Sequence, residues 1–403
     1  MKNAKLNFYF FGDIGEYDVY NPAYVCNKRY ASEIVYLIAK NDPFSISQLE
    51  ITKLLGVNKE EVKDIIDNLK LINAIENKND KYKIKFPIFL KEDVIDLESY
   101  INNIGKEIGN KIIKLRDILY EKVSKLKCFK QYGYERILYH IICDYIFDGT
   151  AFEFFKEKNI FCVSKIQPDN RDYIIVAYED NNMVEKYSNN ILCSSNNYRS
   201  HGVTFNSFGD SNGIRKDMFR FFRLIQKSVN EATPFEKVNL AYNRILDSKN
   251  IEISYECGTL MNNIFTEDVK YVELSEKEKN LAQFLKELGY IDINISNSML
   301  SVNVPVFYDF EISTIIKEIS DLILTTIFPI VKETFDNFEI NVRNLTSVKH
   351  GVNIKEIANE IWHQVFGNVN EYLVKQKFVS VPDNIKGEGR YLRSIIISKN
   401  NIN

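Results

Sequence analysis

Two helix-start signals separated by a glycine constrain this chain more than any other feature. Ser47-Gln48-Leu49-Glu50 has capping-box spacing: the Ser47 hydroxyl can accept from the Glu50 backbone N–H, and the Glu50 carboxylate can accept from that of Ser47. Ile46 and Ile51 flank the box as a hydrophobic staple. The same grammar recurs at Asn58, with Glu61 at the third helical position and Val57 and Val62 as the staple. Gly56 stands where the first helix must stop, because glycine enters the left-handed conformation without a Cβ penalty. The spacing predicts two short helices joined by a tight turn.

Val62, Ile65, Ile66 and Leu69 fall at i, i+3, i+4 and i+7, a buried stripe on the second helix. Residues 33–39 supply a third helix to pack against it. Downstream, the polar turn Asn77-Lys78-Asn79-Asp80 precedes Tyr82-Lys83-Ile84-Lys85-Phe86, which alternates apolar and polar side chains as one strand of a hairpin does. With three helices and a hairpin in this order, residues 31–89 resemble the winged-helix transcription regulators of the MarR and ArsR type. The resemblance covers about 60 of the 403 residues. It implies a partner of double-stranded DNA, contacted by Asn58, Lys59 and Lys63 on the second helix and by Lys78, Lys81 and Lys83 in the wing. Against this, the other outward positions of that helix carry Glu60, Glu61, Asp64 and Asp67, and no Arg or Gln is present to read base edges. The alternative is therefore a non-catalytic scaffold or regulatory adaptor that docks a protein partner through the same module.

The chain also repeats itself. Ile84-Lys85-Phe86-Pro87-Ile88-Phe89 is echoed 218 residues later by Val302-Asn303-Val304-Pro305-Val306-Phe307. At a shift of 219 the stripe Val62, Ile65, Ile66, Leu69, Ile72 lands on Leu281, Phe284, Leu285, Leu288, Ile291, and Ser275 with Glu278 forms another capping box. The helix after the wing repeats too, Val94, Leu97, Ile101 and Ile104 matching Ile312, Ile315, Ile319 and Leu322. Further on, Leu138, Ile142, Ile146 and Phe147 match Ile357, Ile361, Val365 and Phe366, and Pro168-Asp169-Asn170 matches Pro382-Asp383-Asn384. The copies differ where Ser47 to Leu55 should recur: Val269, Tyr271, Val272 and Leu274 make an extended run without the helical pattern, so the second module is degenerate. The expected fold class is α+β, predominantly helical: a winged helix-turn-helix domain with a degenerate second copy in a pseudo-twofold, two-half chain. In MarR-type regulators two subunits pair through flanking helices, and the resemblance implies one chain holding both halves and spanning two half-sites about one helical turn, roughly 34 Å, apart.

The expected domains are an N-terminal strand and winged helix over 1–92, a long helix with an α+β segment over 93–205, and a junction with a basic helix over 206–232. A degenerate winged-helix-like domain over 233–310 and a second long helix with an α+β segment over 311–403 complete the chain. Residues 193–213, rich in Asn, Ser and Gly, give the strongest loop signal, read as a hinge without a counterpart in the second half or as a ligand-responsive loop. A net charge of -3 supplies no overall field for nucleic acid, so phosphate contact must come from local patches. Besides the module, 106–130, the run Arg215, Lys216, Arg220, Arg223, Lys227, and the tail Lys375, Lys377, Lys386, Arg390, Arg393 are such patches.

Six scattered cysteines without a CxxC pair point to a reducing compartment, and the N-terminus lacks a signal-peptide pattern, so a cytoplasmic protein is expected. The most apolar late stretch, 322–331, is about half the length needed to span a bilayer, so no membrane partner is expected. His140, His201, His350 and His363 are scattered. His140 with Cys143, and Glu360 with His363, each lack the second pair that a metal site needs. With no phosphate-binding glycine loop or serine elbow either, no enzyme, metal or cofactor is expected, and the sequence leaves the oligomeric state open.

Overall fold

A computed structural model describes residues 5–200, 202–224, 253–338 and 342–398. The structure is mixed α/β, 54 % helical and 19 % strand, so helix predominates as expected. The chain forms two compact units, and each takes pieces from both ends of the sequence. One comprises Met1–Ile108, Ala151–Asn190 and Ile327–Val369; the other comprises Gly109–Thr150, Ile191–Thr326 and Asn370–Asn403.

In the first unit, α1 (Ala31–Lys40), α2 (Gln48–Leu55) and α3 (Lys59–Leu71) precede a hairpin of β2 (Ile75–Lys78) and β3 (Lys81–Ile84). Both halves of the Ser47 capping box form, and Gly56 ends α2 in the left-handed region at φ 64°. Asn58 caps α3 by a different bond from the one expected: its side chain accepts from Glu60 rather than sharing a box with Glu61. Asn79 and Asp80, both at positive φ, make the two-residue turn of the hairpin, so Asn77 and Lys78 belong to the strand. Val62, Ile65, Ile66 and Leu69 are buried against Ile34, Val35 and Ile38, the stripe and the third helix read from periodicity.

The same unit contains a sheet in the order β1 (Leu6–Asp13), β6 (Arg171–Glu179), β4 (Ile88–Phe89), with β5 (Ile166–Gln167) on β6. Residues from far along the chain tie the hairpin to this sheet. His350 Nδ1 accepts from the Ile84 N–H at 3.1 Å, and Ser347 Oγ accepts from Ile88 at 2.7 Å.

The second unit contains the sheet β7 (Leu192–Ser200), β8 (Val203–Asp210), β13 (Gly389–Ile397), β11 (Val306–Tyr308), with β12 (Asn384–Ile385) on β13. Residues 193–213, expected as a hinge loop, are thus largely a strand pair. Their small and polar residues sit in the sheet because close packing needs them: a Cβ on Gly209 would overlap the Arg390 carbonyl oxygen and lie 2.7 Å from the Tyr391 Cα. The unit also contains a helix over Ile253–Thr266, a helix over Glu276–Glu287 with its Ser275 capping box, and a short hairpin of β9 (Ile291–Ile293) and β10 (Leu300–Val302). Where α2 would recur there is a single helical turn, Tyr271–Glu273, and a bridge from Lys270 to Met299; the expected extended run is not a strand.

Corresponding registers differ by constant offsets. Ile88 pairs with Ala177 as Val306 pairs with Ile395, a shift of 218 on both strands. Ile166 pairs with Asp172 as Asn384 pairs with Arg390, again 218. Gly12 faces Tyr173 as Gly209 faces Tyr391, and Phe11-Gly12-Asp13 reads as Phe208-Gly209-Asp210. One expected match shifts by a residue: beyond Glu311 the buried positions are Ile316, Ile319 and Ile323, with Ile312 and Ile315 only half-buried. The helix makes a wider π-type turn over Ile312–Ile316, and the extra residue it accommodates moves the buried face on by one.

Candidate nucleic-acid interface

The geometry around α2 begins with its cap. The Glu50 carboxylate accepts from the Ser47 N–H at 2.8 Å and from its hydroxyl at 2.7 Å. These bonds, with Lys81 and Lys53 near enough to add attraction, hold Glu50 below the usual carboxylate range. Ser47 bridges the backbone of Lys81, and the Tyr82 N–H donates to the Ile46 carbonyl at 3.2 Å, so the wing strand is pinned to the start of α2. On the other side the Gln48 amide donates to the Lys59 carbonyl at 3.3 Å, joining the start of α2 to that of α3. Lys78 lies opposite Lys81 across the wing turn. Lys53, Lys59, Lys78 and Lys81 are all exposed, and among the described residues none has a carboxylate partner.

The acids of α3 are largely occupied. Asp67 is held by Lys63 at 2.7 Å and Lys70 at 2.6 Å, and these bonds push its carboxyl below its ordinary range. Asp64 pairs with Lys28 at 3.1 Å. The face that read as repulsive to phosphate is thus partly neutralised from within.

Of the six residues expected at DNA, the structure gathers Lys59, Lys78 and Lys81 about the start of α2 and gives the others local duties. The Asn58 side-chain oxygen is spent on its cap, at 2.9 Å from the Glu60 nitrogen. Lys63 is tied to Asp67, and Lys83 pairs with Glu76 at 3.2 Å and lies 5.5 Å from the Phe44 ring. Lys53 and Gln48 join the group unforeseen. Both stand on the exposed side of α2, away from the buried Ile51, which a helical wheel of α2 alone would have shown.

The remaining basic patches are largely built into the fold. Arg215 is wholly buried and donates to the Ser194 and Ser207 carbonyls, while Arg390 clasps Asp210 and Glu371 at 2.7 and 2.6 Å. Arg393 donates to the Lys216 carbonyl, Lys122 pairs with Glu318, and Lys127 lies 4.2 Å over the Tyr308 ring. Lys227 and the side chain of Arg223 lie outside the described residues, as does His201.

The histidines are packing residues. His140 is buried against Tyr139 and Phe307, and burial pushes its pKa down to about 3. His363 stacks on Phe11 at 4.5 Å, with burial lowering its pKa to about 4. Glu360 beside it takes a hydrogen bond from Tyr178, whose hydroxyl accepts from Gln364. Among the described residues no group of three or more His, Cys, Asp or Glu is placed to hold a metal ion, and no helix is long and apolar enough to cross a membrane.

Comparison of the chain with protein-family models, with characterised proteins and with solved structures finds no match. Any functional reading therefore rests on the residues and their geometry.

Proposed function

We propose that this chain is a cytoplasmic, duplex-DNA-binding transcription regulator in which two winged-helix halves are fused. The observation that carries the DNA reading is the group of unpaired, exposed lysines at 53, 59, 78 and 81, drawn from two helices and a wing onto the rim of one small module. Side chains so placed suit a run of phosphates, and lysine meets phosphate as a point charge without needing a fixed hydrogen-bond fork.

The duplication is supported by the paired registers and by contacts that recur at the same offsets. Asp93 accepts from the N–H groups of Leu90 and Thr346, and Glu311 accepts from those of Tyr308 and Lys127. Every partner matches its counterpart at 218 or 219 residues. In each case the second N–H comes from the opposite half of the sequence, as it would in a fused dimer whose subunits exchange helices.

The test is fluorescence anisotropy of the full chain with labelled genomic duplexes across a salt series. Binding should weaken with a log–log slope of about -3 to -4, near -0.9 for each phosphate neutralised. A variant carrying K53Q, K59Q, K78Q and K81Q should lose binding while melting as the parent does. Absent or salt-insensitive binding by the folded parent would transfer the module to the second reading, docking of a protein partner. That reading draws on Leu49 and Leu54, which stand exposed on α2.

A further inference from the structure

We infer that each chain makes a single duplex contact, through residues 31–89, and that the corresponding surface of the second half is closed to phosphate. This rests on the DNA reading above and restricts it: two half-sites require two chains.

The argument follows the four lysines to their counterparts. The offset is 219 through the helices and 218 along the second hairpin strand; the second hairpin is two residues longer, since Ile75 pairs with Ile84 but Ile291 with Val302. Lys53 becomes Val272, Lys59 becomes Glu278, Lys78 becomes Asn294 and Lys81 becomes Met299. None of the four keeps its charge, and one reverses it. Glu278 is committed to the Ser275 capping box, so its carboxylate is held at that spot.

Nor do neighbouring cations compensate. Residues 31–89 carry nine lysines against nine acids, whereas 255–307 carry four lysines against eight acids and no arginine. All four of those lysines are already paired: Lys270 with Glu273 and Lys279 with Glu276 at 2.8 Å, Lys277 with Glu256, and Lys286 with Asp292 at 4.0 Å. Binding phosphate there would require breaking an ion pair and bringing a polyanion toward surplus carboxylates. In place of the lost lysines the surface shows apolar groups, Val272 at 62 % exposed and Ile295, at the hairpin tip, at 98 %. The loss of the α2 helix fits the same reading, because the lysine group of the first module is organised around the start of that helix.

The test uses the full chain and a duplex of about 12 base pairs, roughly one helical turn and too short to bridge two modules. Native mass spectrometry at saturating duplex should give one duplex per chain. In parallel, K53Q, K59Q, K78Q and K81Q together should weaken binding at least ~100-fold at low salt. K270Q, K277Q, K279Q and K286Q together should leave it within about twofold of the parent. Two duplexes per chain, or an equal loss from both sets, would overturn the inference while leaving DNA binding intact. Absence of any complex with the folded parent would overturn both. A third design adds charge back: V272K with N294K should steepen the salt slope and admit a second duplex, and failure to do so in a folded variant counts against the stated cause.

Discussion

Asp93 holds Thr346 from 253 residues away: its Oδ1 accepts the Thr346 backbone N–H at 2.8 Å, while its Oδ2 accepts that of Leu90 at the same distance. The carboxylate is nearly buried, so burial raises its pKa even as the two backbone bonds pull it down. Asp93→Ala strands two N–H donors, and a loss of roughly 2–5 kcal/mol is expected in denaturant unfolding. Glu311→Ala, which strands the donors of Tyr308 and Lys127, should cost a similar amount. A large loss from one and none from the other would argue against equivalent halves.

Glycine is required at Gly209 for a different reason from that at Gly56. A Cβ at Gly209 would run into the Arg390 carbonyl of the neighbouring strand, as one at Gly12 would into that of Asp172. At Gly56 the surrounding space is open and only the positive φ resists substitution. Gly56→Ala should cost about 1 kcal/mol, the price of a left-handed alanine. Gly209→Ala forces the strands apart and should cost on the order of 2–3 kcal/mol or more. Thermal melting of both variants would decide it, and a larger loss at Gly56 would be the wrong order.

Asp144 and Asp148 give the second unit a pH dependence of definite sign. Burial pushes their carboxyls up to about 8 and about 7, each also raising or feeling the other's charge, with Arg215 only partly offsetting the effect. Unfolded aspartate titrates near 3.9, so between about pH 4 and those values the folded chain keeps protons that the unfolded chain has released. Stability should therefore fall as pH rises across that window, by at most about 1.4 kcal/mol per pH unit for each group. Asp144→Asn should flatten the fall between pH 5 and about 8 in unfolding experiments. A parent whose stability climbs over that range, with no difference from the variant, would show that these carboxyls ionise on folding.

Lys59 and Lys63 stand one turn apart on α3 and should behave differently toward DNA. Lys59 has no carboxylate partner among the described residues, whereas Lys63 is bonded to Asp67. K59Q should reduce the salt slope by about 1, and K63Q by less than half of that. Equal effects would mean that the Lys63–Asp67 pair opens on binding.

Loss of the Ser47 cap tests stability and site together. Ser47→Ala should cost about 1 kcal/mol and weaken DNA binding, because Glu50, released from Ser47, is free to engage Lys53 or Lys81. If stability falls but DNA affinity holds in the folded variant, the capping box has no part in arranging the lysines.

Much of the first module was legible because its signals are local. The Ser47 box, Gly56, the stripe from Val62 to Leu69 and the wing turn each depend on residues a few positions apart, and each forms. The candidate site was legible only in part. A lysine's usefulness to a phosphate depends on whether an acid has already claimed it, which is a property of side-chain neighbours: Lys63 and Lys59 look alike in one dimension. The strand pair over 192–210 was misread because composition rich in Asn, Ser and Gly signals a loop unless a neighbouring strand makes small residues necessary, as Arg390 and Tyr391 do for Gly209.

By itself, then, the sequence determined where helices start and stop, which faces are apolar, and that the second half echoes the first, since these follow from short-range sterics and periodicity. Tertiary structure alone decided that β1 pairs with a strand over 150 residues away, that segments 109–150 and 327–369 each join the unit dominated by the opposite half, and which lysines remain unpaired. The physical reason is that pairing across such separations is chosen by burial and hydrogen-bond satisfaction of the whole chain. No local window carries that information.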